Sequence, residues 1–304
     1  MPRIAIAIAI VAVGFATGCA GIAGGSRDPV TRDPSFPDPE HPPRLAELRI
    51  GSHGSAMNAI AYLADGPGPH PTAVLLHGFP GNERNLDVAQ AVRRAGWNVV
   101  FFHYRGAWGS EGAFSFAHVL EDVASVVAWT QDAEQTRELR IDPERIALVG
   151  HSMGGFAALL AGSRLPQVDC IASLAGANLA SRGYAAAGDP ELASAMAAQL
   201  DAWSAPLSGT SGQALVDEIA AAGTDFDVLT RVPALSSRGL LLVAGALDRT
   251  TPPAEHHFPL VSALEAAGAA QLRHVVLEAD HAFSQRRIAL AREVTDFLTE
   301  VCAP

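Results

Sequence analysis

The 304-residue sequence contains no lysine, so all 21 of its basic residues are arginine, and they are outnumbered by 32 Asp and Glu residues. The formal net charge of −11 argues against nucleic acid as a partner, because no basic stripe is present to neutralise phosphates. Cysteine is scarce too. Three residues, Cys19, Cys170 and Cys302, do not make a disulfide framework or a metal site. We expect no metal, because the adjacent His256 and His257 also lack the spacing of metal ligands, and the sequence implies no organic cofactor.

The N-terminus has the pattern of an export signal: Arg3 precedes an apolar run from Ile4 to Ala16, and small residues follow. This run is shorter than the roughly 20 apolar residues that a membrane-spanning helix needs. Residues 1–18 resemble a bacterial lipoprotein signal, although Ala16 stands where that pattern usually has Leu. The resemblance implies lipidation of Cys19 and attachment to the cell envelope. The alternative is an ordinary signal peptide that is removed together with Cys19, which would leave a periplasmic or secreted protein.

Residues 19–43 are predicted to form a tether between this anchor and a folded domain. Large apolar side chains are few in this stretch, so it cannot bury enough surface to offset the entropy lost on ordering. Its prolines favour extended conformations. They are Pro29, Pro34, Pro37, Pro39, Pro42 and Pro43.

From Arg44 onward, strand patterns alternate with helix patterns, and a hydrophobic content of 49% permits a substantial core. Residues 45–50 and 56–63, joined by a glycine-containing turn, favour an antiparallel pair. Six unbroken apolar runs follow, as is typical of strands covered on both faces: 73–76, 99–102, 146–149, 171–174, 240–243 and 275–277. The order predicts one α/β domain over residues 44–304, with a doubly wound, mostly parallel sheet of eight strands.

One segment interrupts this alternation. Residues 176–236 offer no convincing strand but contain two Ala-rich helical patterns, 190–203 and 213–222. An insertion of this kind usually covers a site, so we predict a helical cap whose Met196, Leu200 and Trp203 line the substrate pocket. A solvated surface excursion is the alternative.

The segment from Ile146 to Gly155 is an apolar strand followed by Gly150-His151-Ser152-Met153-Gly154, a G-x-S-x-G sequence, and then by a helical pattern. A serine on such a sharp strand-to-helix turn projects above the sheet, and the flanking glycines avoid collisions with the neighbouring elements. The start of the helix places backbone N–H groups near a developing oxyanion. The pattern predicts that Ser152 is a nucleophile.

With this motif in place, residues 44–301 resemble the α/β-hydrolase superfamily. The sequence His77-Gly78-Phe79-Pro80-Gly81 follows the third strand, as the oxyanion loop of that superfamily does. The resemblance implies that the N–H groups of Phe79 and Met153 form the oxyanion hole. It also implies that His77 is a structural histidine that orients the loop.

The superfamily orders its catalytic residues as Ser, then an acid, then His. His281 follows the last apolar run within Asp-His-x-Phe, which resembles the base motif of prolyl oligopeptidases and dienelactone hydrolases. The acid should follow the preceding strand, where Asp248 stands before a proline-started helix. Asp280, Asp225 and Asp227 are the alternatives.

The loop after the fourth strand, Phe101 to Gly112, resembles the Y-R-G-x-G-x-S-x-G loop of many bacterial α/β-hydrolases. Its glycines suggest a tight path near the site, so Arg105 is a candidate to bind a substrate carboxylate and Trp108 is a candidate wall of the pocket. A purely structural loop is the equal alternative for both residues.

These motifs predict a serine hydrolase that cleaves esters through an acyl-enzyme formed by Ser152, His281 and Asp248. The partner would be a small-molecule ester. A peptidase of prolyl oligopeptidase type is the first alternative, and its partner would be a short peptide. The short stretch between Cys19 and the first strand leaves no room for the propeller of those enzymes, so ester hydrolysis is favoured over peptide hydrolysis. A lipoprotein binding module with a vestigial triad is the second alternative.

Overall fold

The computed structural model of this chain describes residues 28–34 and 37–302. Cys19 and the predicted signal therefore lie outside the described residues. Eight strands form one sheet; in chain order they are β1 Arg44–Ser52, β2 Ser55–Leu63, β3 His70–Leu76, β4 Asn98–Phe102, β5 Ile141–His151, β6 Val168–Leu174, β7 Gly239–Gly245 and β8 Leu272–Leu277. Their spatial order is β1-β2-β4-β3-β5-β6-β7-β8. The first two neighbour pairs, β1 with β2 and β2 with β4, are antiparallel, and the others are parallel. This confirms the predicted mostly parallel, eight-stranded α/β fold.

The α-helices lie in the connections between the strands and, for the last helix, after β8. They are α1 Leu86–Arg94, α2 Phe116–Thr130, α3 Ala133–Glu138, α4 Met153–Gly162, α5 Leu179–Gly188, α6 Pro190–Trp203, α7 Gly212–Ala222, α8 Val232–Leu235, α9 Pro253–His256, α10 Phe258–Ala266 and α11 Arg287–Glu300. Within the described residues, no helix is long and apolar enough to span a membrane.

Both faces of the sheet are covered, which explains why its strands read as unbroken apolar runs. Side chains of β5 alternate between two cores: Leu148 belongs to the core that also contains residues of α2 and α4. Ala147 and Val149 belong to the core shared with α1 and α11. The inner strands are therefore packed on both faces. The predicted site residues follow the carboxyl ends of these strands, so the sheet holds the ends of their loops in place.

The insertion 176–236 contributes helices α5 to α8 and no strand of the sheet. It is joined to the loop after β4 by backbone hydrogen bonds, from Trp108 N to Pro206 O and from Phe114 N to Ser208 O, both 2.9 Å. The Glu218 carboxylate on α7 accepts the first amides of α2, from Phe116 and Ala117. These contacts hold the insertion against the main body at several points.

One expectation about cysteine is wrong, because Cys170 on β6 forms a disulfide with Cys302, just beyond α11. The three cysteines were expected to make no disulfide framework. A single bridge between residues 132 positions apart leaves no signature in cysteine spacing, so only the fold shows that the two Cα atoms lie 5.9 Å apart. The bridge ties the end of the last helix to the sheet.

The described part of the predicted tether contacts the domain. Asp28 forms an ion pair with Arg292 of α11 at 2.8 Å, and Arg94 of α1 donates to the carbonyl oxygen of Pro29 at 2.5 Å. Val30 is half-buried against the core of α1 and α11. These contacts attach residues 28–30 to the surface of the domain.

Candidate active site

The backbone at Ser152 is strained, with φ 58° and ψ −117°, and α4 begins at the next residue. A non-glycine residue with positive φ is uncommon, and such outliers cluster at functional sites. A Cβ on Gly150 would overlap the Gly154 carbonyl, and a Cβ on Gly154 would overlap the Leu76 carbonyl. The two glycines of the G-x-S-x-G sequence are therefore required by close backbone approach, as predicted.

The loop after β3 passes directly over this turn. A Cβ on Gly78 would lie 2.9 Å from the Cβ of Ser152 and 3.2 Å from the His151 carbonyl oxygen. The loop that contains Phe79 therefore packs against the turn that contains Ser152, and Met153 lies in the first turn of α4. First-turn amides have no acceptor inside their own helix, so the Met153 amide is suited to bind an anion.

Asp248 and His281, which follow β7 and β8, form a hydrogen bond. The Oδ2 atom of Asp248 lies 2.7 Å from the Nδ1 atom of His281. An ionised carboxylate only accepts hydrogen bonds, so Nδ1 carries the hydrogen and Nε2 presents a lone pair. The structure thus brings the predicted base and the predicted acid together.

Asp248 is held in its ionised form. Only 5% of the residue is exposed, and burial alone would raise its pKa. Hydrogen bonds from His281 and from the backbone and hydroxyl of Thr251 outweigh burial and lower the pKa of Asp248 to about 2. The Thr250 and Thr251 amides donate to Oδ1 at 2.7 and 2.9 Å, and the Thr251 hydroxyl donates to Oδ2 at 2.7 Å.

Ser152 and His281 line the same cavity, which has a volume of about 420 Å³. Its size is that of a small-molecule site. The walls come from the loops that follow β3, β7 and β8 and from the turn at the end of β5; besides Ser152 and His281 they are Gly78, Phe79, Pro80, Gly81, Asn82, Glu83, His151, Leu247, Arg249, Thr250, Asp280 and Ala282. The predicted nucleophile, the predicted base and one of the two predicted oxyanion donors, Phe79, therefore line one cavity.

His77 supports the loop, as the resemblance implied. Its Nδ1 donates to the Gly78 carbonyl oxygen at 2.7 Å, and its Nε2 lies 3.2 Å from Nδ1 of His103. Burial lowers the pKa of His77 to about 3, so the ring is neutral at neutral pH. The hydroxyl of Tyr104 donates to the His77 carbonyl oxygen at 3.0 Å.

Trp108 is not a wall of the cavity; it braces the same loop from outside. Its Nε1 donates to the Pro80 carbonyl oxygen at 2.8 Å. One face of the ring stacks on His103, with centroids 5.8 Å apart, and the Arg84 guanidinium lies 4.3 Å from the ring centroid. The prediction of Trp108 as a substrate contact is corrected, since its ring is occupied by these neighbours.

Arg105 is also absent from the cavity walls. The residue is 6% exposed, and its guanidinium pairs with Asp122 and Glu121 of α2, each at 2.5 Å. Asp122 accepts from the Arg105 amide as well, at 2.8 Å. These ion pairs tie the loop after β4 to α2. Because both carboxylates already pair with the guanidinium, the prediction that Arg105 binds a substrate carboxylate is corrected.

The three cap residues predicted to line the pocket do not line it either. Met196 and Leu200 on α6 are half-buried against the core and the interior of the insertion. Trp203, at the end of α6, is 45% exposed. The bounds of α6 were predicted correctly. The direction in which its side chains point depends on how the insertion packs against the main body, and the local sequence of α6 does not determine that packing.

Several polar residues of the site were not identified from the sequence. Thr251 was missed although an Asp commonly accepts the amides two and three residues further on, which was the available signal. Asn82, Glu83 and Arg249 lie in loops without a motif. Within residues 28–34 and 37–302, no group of three or more His, Cys, Asp or Glu side chains could hold a metal ion.

Residues 73–293 match the family described as the alpha/beta hydrolase family. The chain belongs to this family. A stretch of 109 residues of this α/β hydrolase is 36% identical to an Escherichia coli protein described as an uncharacterized 31.7 kDa protein in the traX-finO intergenic region. That match spans 34% of this chain and 36% of the relative, about a third of each.

Solved structures share the fold at low sequence identity. An esterase from Pyrococcus furiosus superposes with a TM-score of 0.63 and 17% identity, covering 86% of this chain and 92% of the esterase. Est1E from Butyrivibrio proteoclasticus gives 0.63 and 19%, covering 84% and 98%. An acylaminoacyl peptidase from Pyrococcus horikoshii gives 0.63 and 15%, covering 86% of this α/β hydrolase and 42% of the peptidase. At these identities the similarity establishes the fold alone.

Proposed function

We propose that this α/β hydrolase is a serine hydrolase that cleaves carboxylic esters through an acyl-enzyme. The observation that carries the proposal is the 2.7 Å bond between His281 and Asp248 at the wall of the cavity that also contains Ser152. That bond leaves the Nε2 lone pair of His281 free to accept a proton. An esterase is also the description of the structural relatives from P. furiosus, although they share only the fold.

In the proposed reaction, His281 Nε2 takes the hydroxyl proton of Ser152 while Oγ attacks the ester carbonyl carbon. The Phe79 and Met153 amides bind the resulting oxyanion. The carbon–oxygen bond to the alcohol then breaks, and the alcohol leaves with the proton held by His281. A water molecule, deprotonated by His281, attacks the acyl group, and the carboxylic acid leaves as Ser152 recovers its proton.

Asp248 has two roles in this proposal. It keeps the hydrogen of His281 on Nδ1, and its negative charge stabilises the imidazolium that forms in each step. The low pKa of Asp248 supports both roles, since the carboxylate stays ionised over the whole range in which an imidazole can act as a base.

The test compares p-nitrophenyl acyl esters with aminoacyl p-nitroanilides as substrates of the purified protein. We expect a higher kcat/KM on the esters and a loss of roughly 10⁴–10⁶-fold in kcat for Ser152→Ala. Ser237→Ala, which changes an exposed serine outside the cavity, is the matched control. Faster amide cleavage would favour a peptidase, and no turnover of either series would favour a binding module.

We further propose that the chain is exported and carries a lipid on Cys19. The disulfide between Cys170 and Cys302 supports export, because such bonds persist in oxidising compartments and are rare in the cytosol. Metabolic labelling with a palmitate analogue tests the anchor, with Cys19→Ala as the control. A mature protein that carries no label would exclude lipidation.

A further inference from the structure

His151 immediately precedes Ser152, and its side chain reaches the loop that holds the proposed base. His151 is 3% exposed, and its Nε2 lies 2.7 Å from the backbone oxygen of His281. Because a carbonyl only accepts hydrogen bonds, Nε2 carries the hydrogen of His151. The bond joins two residues that are 130 positions apart in the sequence.

The sheet itself does not join these two loops. Ser152 follows β5 and His281 follows β8, and strands β6 and β7 lie between them. The side chain of His151 therefore makes a direct link across two strands, between the turn that carries the nucleophile and the loop that carries the base.

The ring of His151 also packs against both neighbouring loops. Its centroid is 4.8 Å from that of His281 and 6.3 Å from that of Phe283. On the other side, a Cβ on Gly78 would lie 3.4 Å from Nδ1 of His151. The imidazole thus lies between the base loop and the loop proposed to supply an oxyanion donor.

His151 is unsuited to act as a base itself. Burial, followed by the proximity of His281, lowers the pKa of His151 to about 4. Its Nε2 is occupied by the carbonyl, and within the described residues its Nδ1 is buried without a partner. A neutral ring also avoids repelling the imidazolium that the proposed reaction forms on His281.

We infer that His151 is a positioning residue: its Nε2–H bond to the His281 carbonyl fixes the distance between the proposed base and the nucleophile. This inference rests on the proposed ester hydrolysis. Geometry at this level matters, since a displacement of about 1 Å can cost roughly 10²-fold in rate.

Two substitutions separate the hydrogen bond from simple packing. His151→Phe keeps a ring in the pocket but has no donor, whereas His151→Gln places an amide N–H at a similar reach. We expect His151→Phe to lower kcat on a p-nitrophenyl ester by about 10–100-fold with little change in KM. We expect His151→Gln to recover most of the lost kcat.

His70→Phe is the matched control. His70 is also a buried histidine that contacts backbone carbonyls, those of Gly96 and Gly66, but it lies at the start of β3, at the opposite end of the strands from Ser152. It should change thermal stability without lowering kcat. Wild-type kcat in His151→Phe, or an equal loss in His151→Gln and His151→Phe, would overturn the inference while the wild type still hydrolyses esters. Failure of the wild type itself would instead count against the proposed function.

A measurement on the unaltered protein keeps the inference testable if His151→Phe does not fold. Long-range ¹H–¹⁵N correlation spectra report which ring nitrogen of a neutral histidine is protonated. We expect His151 to carry its hydrogen on Nε2. A hydrogen on Nδ1 would overturn the inference, because Nε2 could not then donate to the His281 carbonyl.

Discussion

The imidazole of His281 and the carboxylate of Asp248 meet at 2.7 Å although they follow different strands, β8 and β7. The contact needs both loops to lie at the same end of the strands. Strands β5 to β8 are parallel, so the loops that follow them all lie at their carboxyl ends. The contact fixes which nitrogen of His281 faces the carboxylate and which remains for a proton, and this division is the basis of the proposed chemistry.

Replacing Asp248 by Asn should lower kcat by roughly 10³–10⁴-fold with little change in KM, because an amide can stabilise the wrong tautomer of His281. Steady-state kinetics on an ester substrate measure this. Asp225→Asn, which alters an 82% exposed carboxylate of the insertion, serves as the control. Full activity in Asp248→Asn combined with a large loss in Asp280→Asn would show that the acid has been assigned wrongly.

Replacing Arg105 by Met should destabilise the fold by about 3–5 kcal/mol, because Asp122 would be left buried without its guanidinium partner. KM should change little, since Arg105 does not line the cavity. Urea unfolding and ester kinetics on the same preparation separate the two effects. A raised KM for a carboxylate-bearing ester at unchanged stability would restore Arg105 as a substrate ligand.

The free energy of unfolding should fall as the pH drops from about 6.5 to about 4. Burial lowers the pKa of His77 to about 3, and that of His151 and His257 to about 4. In this window the unfolded chain binds protons at histidines that stay neutral in the fold, so acid favours unfolding by ~1.4 kcal/mol per pH unit for each such group.

His257→Gln provides the matched test of this pH dependence, because His257 lies outside the cavity that contains Ser152. Denaturant unfolding at several pH values should show a shallower slope in the variant than in the wild type. An identical slope would mean that His257 titrates normally in the folded protein.

Reducing the disulfide should lower the thermal stability of the protein. The bridge between Cys170 and Cys302 closes a loop of 132 residues, and removing such a bond costs about 2–5 kcal/mol. We expect dithiothreitol to lower the Tm of the wild type but not that of Cys302→Ser. Equal sensitivity of both proteins would contradict a structural role of this bond.

The sequence was sufficient for features that local sterics impose. The turn at Ser152 needs Gly150 and Gly154 because backbone atoms occupy the space of any Cβ, and this need is visible in five consecutive residues. The sheet was predictable as well, since its apolar runs reflect burial on both faces. The start of α6 at Pro190 follows from Asp189, whose carboxylate accepts the Glu191 and Leu192 amides.

Features that depend on tertiary contacts could not be predicted in the same way. The segment between β7 and β8 forms two helices, α9 and α10, which are separated at His257, and the His257 side chain is buried. Helix α5 was not predicted, because its Ala- and Gly-rich sequence has no clear apolar stripe. In the folded protein it packs against α7. The disulfide, the Arg105 ion pairs and the His151 contact join residues remote in sequence. The catalytic roles of Ser152, His281 and Asp248 stay predictions.

Labelling with a fluorophosphonate probe, followed by peptide mapping, tests the central claim most directly. The probe reacts with a serine only when a neighbouring base activates it, so we expect one labelled site, on Ser152. The label should be lost in Ser152→Ala and strongly reduced in His281→Ala. An unlabelled wild-type protein that is shown to be folded, or a label on another serine, would contradict the account.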